Sequence, residues 1–431
     1  MPMDNQTKDL LGFLADSPTP FHAVKEISRR LELAGFKRLE EAQAWNIEKP
    51  GDYYVTRNGS SLIAMRLDQV RGDAGFRMVG AHTDSPCLKV KPHATQCRDG
   101  YVMLAVEVYG GALLSPWFDR DLGLAGRVNF KTSSGAITSG LLRTEGPVGF
   151  IPSLAIHLDR TANEGRSIDR QKHLPAVLMR TDEDHHDFED LLKTWLIQEN
   201  PGLDFDSILS FELSLFDCQS PALVGVHDEF IASARLDNLL SCHAATEALI
   251  ASAGPVNRMI ILNDHEEVGS ASAGGAAGPF LESVLSRLCR DHEILSRSLE
   301  HSMLISADNA HAVHPNYADR HEPNHRPLMN AGPVIKINHN QNYATNSESE
   351  ALFRMVCEAN DINVQSFVTR SDLACGTTIG PITATRVGIR TVDIGVPQLG
   401  MHSIRELAGI GDQVDLVNVL RGFFDYPDWP F

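Results

Sequence analysis

Apolar residues recur at helical spacing after Thr19-Pro20-Phe21, at Val24, Ile27, Leu31 and Leu33. The run stops near Gly35, which predicts an amphipathic helix with a C-terminal stop. Short apolar runs follow at 61–65 and 76–80, each the length of a strand, and the second ends in the polar cluster Ala81-His82-Thr83-Asp84-Ser85-Pro86. From about Val90 to Phe230 the texture is β-like, with runs at 102–108, 126–130 and 208–215 broken by Gly, Pro and polar stretches, and one helix over 187–198. Beyond Ser233 helices and strands alternate: helices over 239–253, 281–299, 347–359 and 414–424, strands over 259–262, 302–306, 364–368 and 390–394. Alternation of this kind predicts an α/β fold whose sheet is covered on both faces. The expected division is a discontinuous catalytic domain, 1–90 with 231–431, interrupted by a mostly-β insert over 91–230.

Composition narrows the function classes. The 431 residues are too many for one ordinary core and suit two packing units. A formal charge of -18, with no Lys/Arg run, repels phosphate backbones and argues against nucleic acid as a partner. Seven cysteines without a Cys-x-x-Cys pair fit neither a disulfide framework nor a zinc ribbon, and predict reduced thiols and a cytoplasmic location. The opening residues carry no basic or apolar leader, and no uncharged apolar run approaches about 18 residues, so neither export nor a membrane anchor is expected.

In α/β sheets ligands gather where loops leave the carboxyl ends of strands. His82 follows the 76–80 run, Glu266 and Glu267 follow Ile260-Ile261-Leu262, Asp308 follows Leu304-Ile305-Ser306, and His402 lies in the loop after Val392-Asp393-Ile394. Asp237 opens a helix. Taken singly each has a structural reading: Asp308 as a helix N-cap, His402 as a loop histidine. Together, so many carboxylates at one sheet edge would repel one another unless a cation lay between them. Imidazole and carboxylate donors suit zinc, and their number suits a pair of ions. Rival chemistries lack their motifs. His265-Glu266-Glu267-Val268-Gly269 has no second His four residues on, and there is no phosphate loop, dinucleotide fingerprint or Gly-x-Ser-x-Gly nucleophile.

The runs Val79-Gly80-Ala81-His82-Thr83-Asp84-Ser85-Pro86, Ser233-Ala234-Arg235-Leu236-Asp237-Asn238, Asp264-His265-Glu266-Glu267-Val268-Gly269-Ser270, Asp308-Asn309-Ala310-His311-Ala312-Val313-His314-Pro315-Asn316 and Gly400-Met401-His402-Ser403 resemble the aspartyl aminopeptidase (M18) family, in order and over essentially the whole chain. Ile151-Pro152-Ser153-Leu154-Ala155-Ile156-His157-Leu158 matches within the insert. The resemblance implies a mixed sheet sandwiched by helices, of the zinc exopeptidase type, with an inserted β-rich dimerisation domain. It implies that His82, Asp237 and Asp308 hold one metal and Asp237, Glu267 and His402 the other, with Asp237 bridging. Asp84 would act on the site from behind its ligands.

The implied activity is zinc-dependent hydrolysis of the N-terminal residue of peptides, with Glu266 as general base. Two Zn2+ per subunit are expected, although Mn2+ or Co2+ would suit the same donors. The resemblance also implies a homo-dodecamer built from dimers, in which His157 reaches a neighbour's active site and contacts the reacting carbonyl. Lys336, Tyr343 and His311 would line the substrate pocket, the lysine pairing with an N-terminal Asp or Glu; from the sequence alone Lys336 reads as an edge residue of an apolar strand. Three alternatives stay open: a broad or leucine-preferring aminopeptidase, a two-metal hydrolase of acylated amino acids, and a non-catalytic, metal-stabilised shell. The last has no use for Glu266.

Overall fold

The computed structural model describes residues 5–69, 74–183 and 186–426, which divide into two compact units. The first comprises residues up to Asp84 with Pro221–Met401 and the chain after Arg405; the second comprises Ser85–Ser220 with His402–Arg405. The exchanges between units thus fall at 84/85 and 220/221, against the 90/91 and 230/231 expected from texture, and the four-residue segment His402–Arg405 joins the second unit.

In the first unit a nine-stranded mixed sheet runs in the order Lys37–Arg38, Gly51–Arg57, Ser61–Leu67, Asn257–Asn263, Phe76–His82, Met303–Ala307, Arg390–Gly395, Val334–Ile337, Gln365–Val368. Four central neighbours, from Asn257–Asn263 to Arg390–Gly395, are parallel. Both faces of these strands are apolar. Val79, Ile260, Leu262, Met303 and Ile305 pack into one buried cluster, while their alternates Met78, Met259, Ile261 and Leu304 pack into another. Side chains of a strand point alternately to opposite faces, so continuous apolar runs are what a sheet covered on both sides requires. The first cluster is closed by helices Asn5–Asp16, Pro20–Leu33, Leu236–Ala251, Ser347–Ala359 and Ile410–Asp425. Phe280–Leu288 closes the second. A small five-stranded sheet, Ala222–Val224, Phe230–Ser233, Glu406–Gly409, Pro397–Leu399 and Ala310–His311, completes this unit.

The helix expected over 281–299 is two helices, Phe280–Leu288 and His292–Glu300. Cys289 has left helical geometry, and the Asp291 carboxylate caps the second helix by accepting the N–H groups of Glu293 and Ile294. Such a cap satisfies donors that a continuous helix would not leave free. The helix Asn5–Asp16 was not anticipated. Its apolar face is short, and Phe13 and Leu14 are buried against partners distant in sequence.

The second unit is a six-stranded antiparallel sheet, in the order Ile137–Arg143, Leu122–Lys131, Ser207–Asp217, Cys87–Arg98, Tyr101–Tyr109, Ala176–Arg180. Leu104, Leu124, Phe130, Leu192, Leu196 and Leu213 belong to its own core, so it buries apolar surface independently of the first. The helix Phe188–Glu199 supplies Leu192 and Leu196, and Asp187 caps it. Among the described residues no helix is long and apolar enough to cross a membrane.

Candidate metal centre

The register of the parallel strands brings their exits level. His82 pairs with Asn263 across one edge of its strand, and Gly80 pairs with Ser306 across the other. The residues that follow, Asp264 to Glu267 on one side and Asp308 on the other, therefore leave the sheet beside His82. Asp237 enters from a different direction. The strand Phe230–Ser233 ends at Ser233, Arg235 turns the chain with φ 60°, and Asp237 stands in the first turn of the next helix.

His82, Asp237 and Asp308 present donor atoms all within 4.8 Å of one another, and so do His82, Glu266 and Glu267. The His82 Nε2 atom lies 3.4 Å from Asp237 Oδ1 and 3.5 Å from Asp308 Oδ1. Its Nδ1 lies 3.3 Å from Asp84 Oδ1 and 3.1 Å from the Asp84 carbonyl oxygen. A proton held on Nδ1 by these oxygens leaves the Nε2 lone pair aimed between two carboxylates, the orientation a ligating imidazole needs. The Asp84 side chain is buried and accepts the N–H of Glu266 on Oδ1 and that of Glu267 on Oδ2, each at 3.1 Å. The chain reaches that turn through His265, at φ 65°, and runs on into the single turn Glu266–Val268.

Electrostatics fit a cation at this position. Burial disfavours an imidazolium at His82, yet the carboxylates of Asp237, Asp308 and Asp84 outweigh it and raise its pKa well above the ordinary value. Burial, with Asp308, Asp237 and Asp84 nearby, lifts Glu266 to about 7, and burial with Asp237 raises Glu267 well above the usual carboxylate range. Groups so crowded with like charge hold protons for want of another positive partner; an imidazole and hard oxygen donors are the set zinc takes.

Some of the surrounding framework was not expected from the sequence. Glu406, buried, accepts the Asp237 N–H at 3.0 Å; Asn238 donates to the Ala307 carbonyl at 2.8 Å; and Cys242 Sγ lies 3.0 Å from the His82 carbonyl. Glu406 is reached only through the pairing of Ser233 with Glu406 between strands more than 170 positions apart, which no local pattern reveals.

The remaining expected residues fall into two groups. His311 and Tyr343 line a cavity of about 290 Å³ together with Phe367, Arg370, Gln398 and Met401. Lys336 is buried at 3 % exposure on the strand Val334–Ile337, outside that lining; its Nζ donates to Asp308 Oδ2 at 3.1 Å and to the Asn309 carbonyl at 2.9 Å. In the second unit, His157 is exposed in a turn flanked by exposed Leu154, Ile156 and Leu158. His402, also of that unit, has φ 66° and holds its Nδ1 3.3 Å from the Gly111 carbonyl.

Known proteins resemble this arrangement throughout. The family model described as aminopeptidase I zinc metalloprotease (M18) matches residues 13–424. A probable M18 family aminopeptidase 2 of Pseudomonas aeruginosa is 56 % identical over 423 residues, covering 98 % of both chains, and one of Azotobacter vinelandii is 54 % identical over the same coverage. Among solved structures, the mApe1 dodecamer of S. cerevisiae matches with a TM-score of 0.84 at 31 % identity, over 97 % of this chain and 96 % of that one. The M18 family aminopeptidase of Thermotoga maritima matches with a TM-score of 0.84 at 26 % identity, over 97 % and 95 %.

Proposed function

The chain belongs to the M18 family of zinc metalloproteases and is an aminopeptidase, and on that premise we propose that it removes N-terminal Asp or Glu from peptides, using two zinc ions per subunit and Glu266 as general base. The observation that carries the reading is the convergence of His82, Asp237 and Asp308 donors within 4.8 Å, with Glu266 and Glu267 beside the same imidazole. In this reading His82, Asp237 and Asp308 hold one ion; Asp237, Glu267 and His402 hold the other. Bound zinc supplies Lewis acidity, which makes water easier to deprotonate and a carbonyl more electrophilic. Manganese or cobalt would serve with the same donors.

Glu266 takes the proton of the attacking water and returns it to the departing amine. Glu266 stands beside the His82 imidazole with the proposed ligands, where a carboxylate can accept a proton from water and give it back to an amine. Asp84 keeps this base in place by gripping the backbone on both sides of it, and it fixes the ring of His82. The cavity beside His311 and Tyr343 receives the substrate's first side chain. Arg320 and Arg370 on its lining, the latter shared with Asp372, are the cationic groups that support an acidic preference.

Assembly as a homo-dodecamer built from dimers is part of the proposal, supported by the likeness to the S. cerevisiae mApe1 dodecamer. His157, exposed among apolar neighbours, would then reach a neighbouring subunit's site. A cytoplasmic location rests on the cysteine pattern of the sequence.

The test is release of the first residue from peptides beginning with Asp, Glu, Leu, Lys or an acetylated residue. Cleavage after Asp and Glu, with none of the acetylated peptide, is expected. A preference for Leu would retain the chemistry and overturn the acidic pocket, and cleavage only of the acetylated substrate would overturn the aminopeptidase reading.

A further inference from the structure

The small five-stranded sheet holds Asp237 by its backbone. The strand Phe230–Ser233 leads toward Asp237, and Ser233 pairs with Glu406, the first residue of the strand Glu406–Gly409. Glu406 Oε2 accepts the Asp237 N–H at 3.0 Å. Its other oxygen meets Gln398 Nε2 at 3.5 Å, and Gln398 Oε1 accepts from Asn309 Nδ2 at 2.8 Å. Gln398 is the middle residue of the strand Pro397–Leu399, paired with Ala408 on one side and with His311 on the other. The chain of contacts thus crosses neighbouring strands of one sheet, from Asp237 to the residue after Asp308. Glu406, Gln398 and Asn309 are all buried.

A simpler role for Glu406 would be to cap the helix Leu236–Ala251, whose own N-cap residue, Arg235, makes no side-chain cap. A cap needs one acceptor at the first turn. It needs neither a second oxygen turned toward Gln398 nor the continuation to Asn309, and a carboxyl taken out of water is a costly way to supply one acceptor. Arg235 is anchored elsewhere, donating to the carbonyls of Ser17 at 3.0 Å and Leu14 at 3.2 Å, so the turn before Asp237 is fixed on that side as well. We propose that Glu406 is a positioning residue for the metal pair: through the Asp237 backbone on one oxygen and through Gln398 and Asn309 on the other, it sets the spacing between the bridging carboxylate and Asp308. The inference rests on the metallopeptidase reading above. Its physical content is that two ligands on separate segments hold an ion tightly only when their separation is fixed before the ion arrives. The 3.5 Å contact to Gln398 is the weaker link, and the Asp237 N–H the stronger.

The experiment measures zinc affinity by competition of the metal-stripped protein with a chromogenic chelator, in the wild type, Glu406→Ala and Glu406→Gln. The visible absorption of the same proteins loaded with Co2+ reads the coordination geometry, and denaturant unfolding of the metal-free proteins reads stability. Wild-type protein that bound no zinc would overturn the metallopeptidase reading and this inference with it. Given wild-type binding, Glu406→Ala is expected to weaken zinc binding by roughly 10–100-fold and to change the cobalt spectrum. Because Asp237 is shared between the ions, both equivalents of zinc should be affected. Glu406→Gln keeps an oxygen for the Asp237 N–H but sets an amide against Gln398, so its loss should lie at the lower end of that range, about 10-fold. Metal-free protein destabilised by Glu406→Ala, with zinc affinity and cobalt spectrum both as in the wild type, would reduce Glu406 to a helix cap and overturn the proposal. If the alanine variant does not fold, Glu406→Gln still decides: wild-type affinity with a wild-type cobalt spectrum contradicts the proposal.

Discussion

Asp84 grips Glu267 by its backbone: Asp84 Oδ2 accepts the Glu267 N–H at 3.1 Å, while the other oxygen accepts that of Glu266 at the same distance. One carboxylate thereby ties the end of the His82 strand to the turn that carries the proposed base. Asp84→Asn keeps the shape but replaces one acceptor by an N–H donor facing an N–H. The expected result is a fall in kcat of roughly 10–100-fold with weakened metal retention, checked by steady-state kinetics and metal analysis on the same sample. Full activity and full metal content in this variant would show that the grip is dispensable.

Glu266→Gln separates the proposed base from the proposed ligands. The amide is nearly isosteric but cannot take a proton, so kcat should fall by about 10²–10⁴-fold while metal content stays at the wild-type value. A variant that kept most of its kcat would remove Glu266 from the role.

Away from the site, Asp412 offers a prediction about pH. It stands in the first turn of the helix Ile410–Asp425 and accepts the backbone N–H groups of Asn330 and Gly332. Burial raises its pKa to about 7 despite those donors. In the unfolded chain the carboxyl titrates near 3.9. The folded state therefore binds the extra proton, and stability from this group is present at low pH and is lost as pH rises from about 4 through about 7. The stability of wild type relative to Asp412→Asn should decline across that window, read by denaturant unfolding of both proteins at several pH values. A difference that does not vary with pH would contradict the raised pKa.

Much of this architecture is written locally. Ile260-Ile261-Leu262 and Leu304-Ile305-Ser306 are buried on both faces, so their apolar runs mark central strands, and the acidic residues after them mark the strand exits. Other features depend on pairings that no window of sequence contains. The break at Cys289–Asp291 is set by a cap within an otherwise helical pattern. Glu406 beneath Asp237 and Lys336 beside Asp308 arise from the register of strands distant in the chain. Lys336 between two isoleucines looks like an edge residue until its strand is seen to sit between Arg390–Gly395 and Gln365–Val368. Asp237 follows no strand of the large sheet; its place at the mouth of a helix marked it as a candidate carboxylate, and the family motif around it supplied its role as a ligand.

The most direct measurement of the account is recovery of aminopeptidase activity as zinc is titrated into chelator-stripped protein. The account predicts no release of the N-terminal residue without metal, and full recovery at two zinc ions per chain. Undiminished turnover by protein verified as metal-free would contradict it.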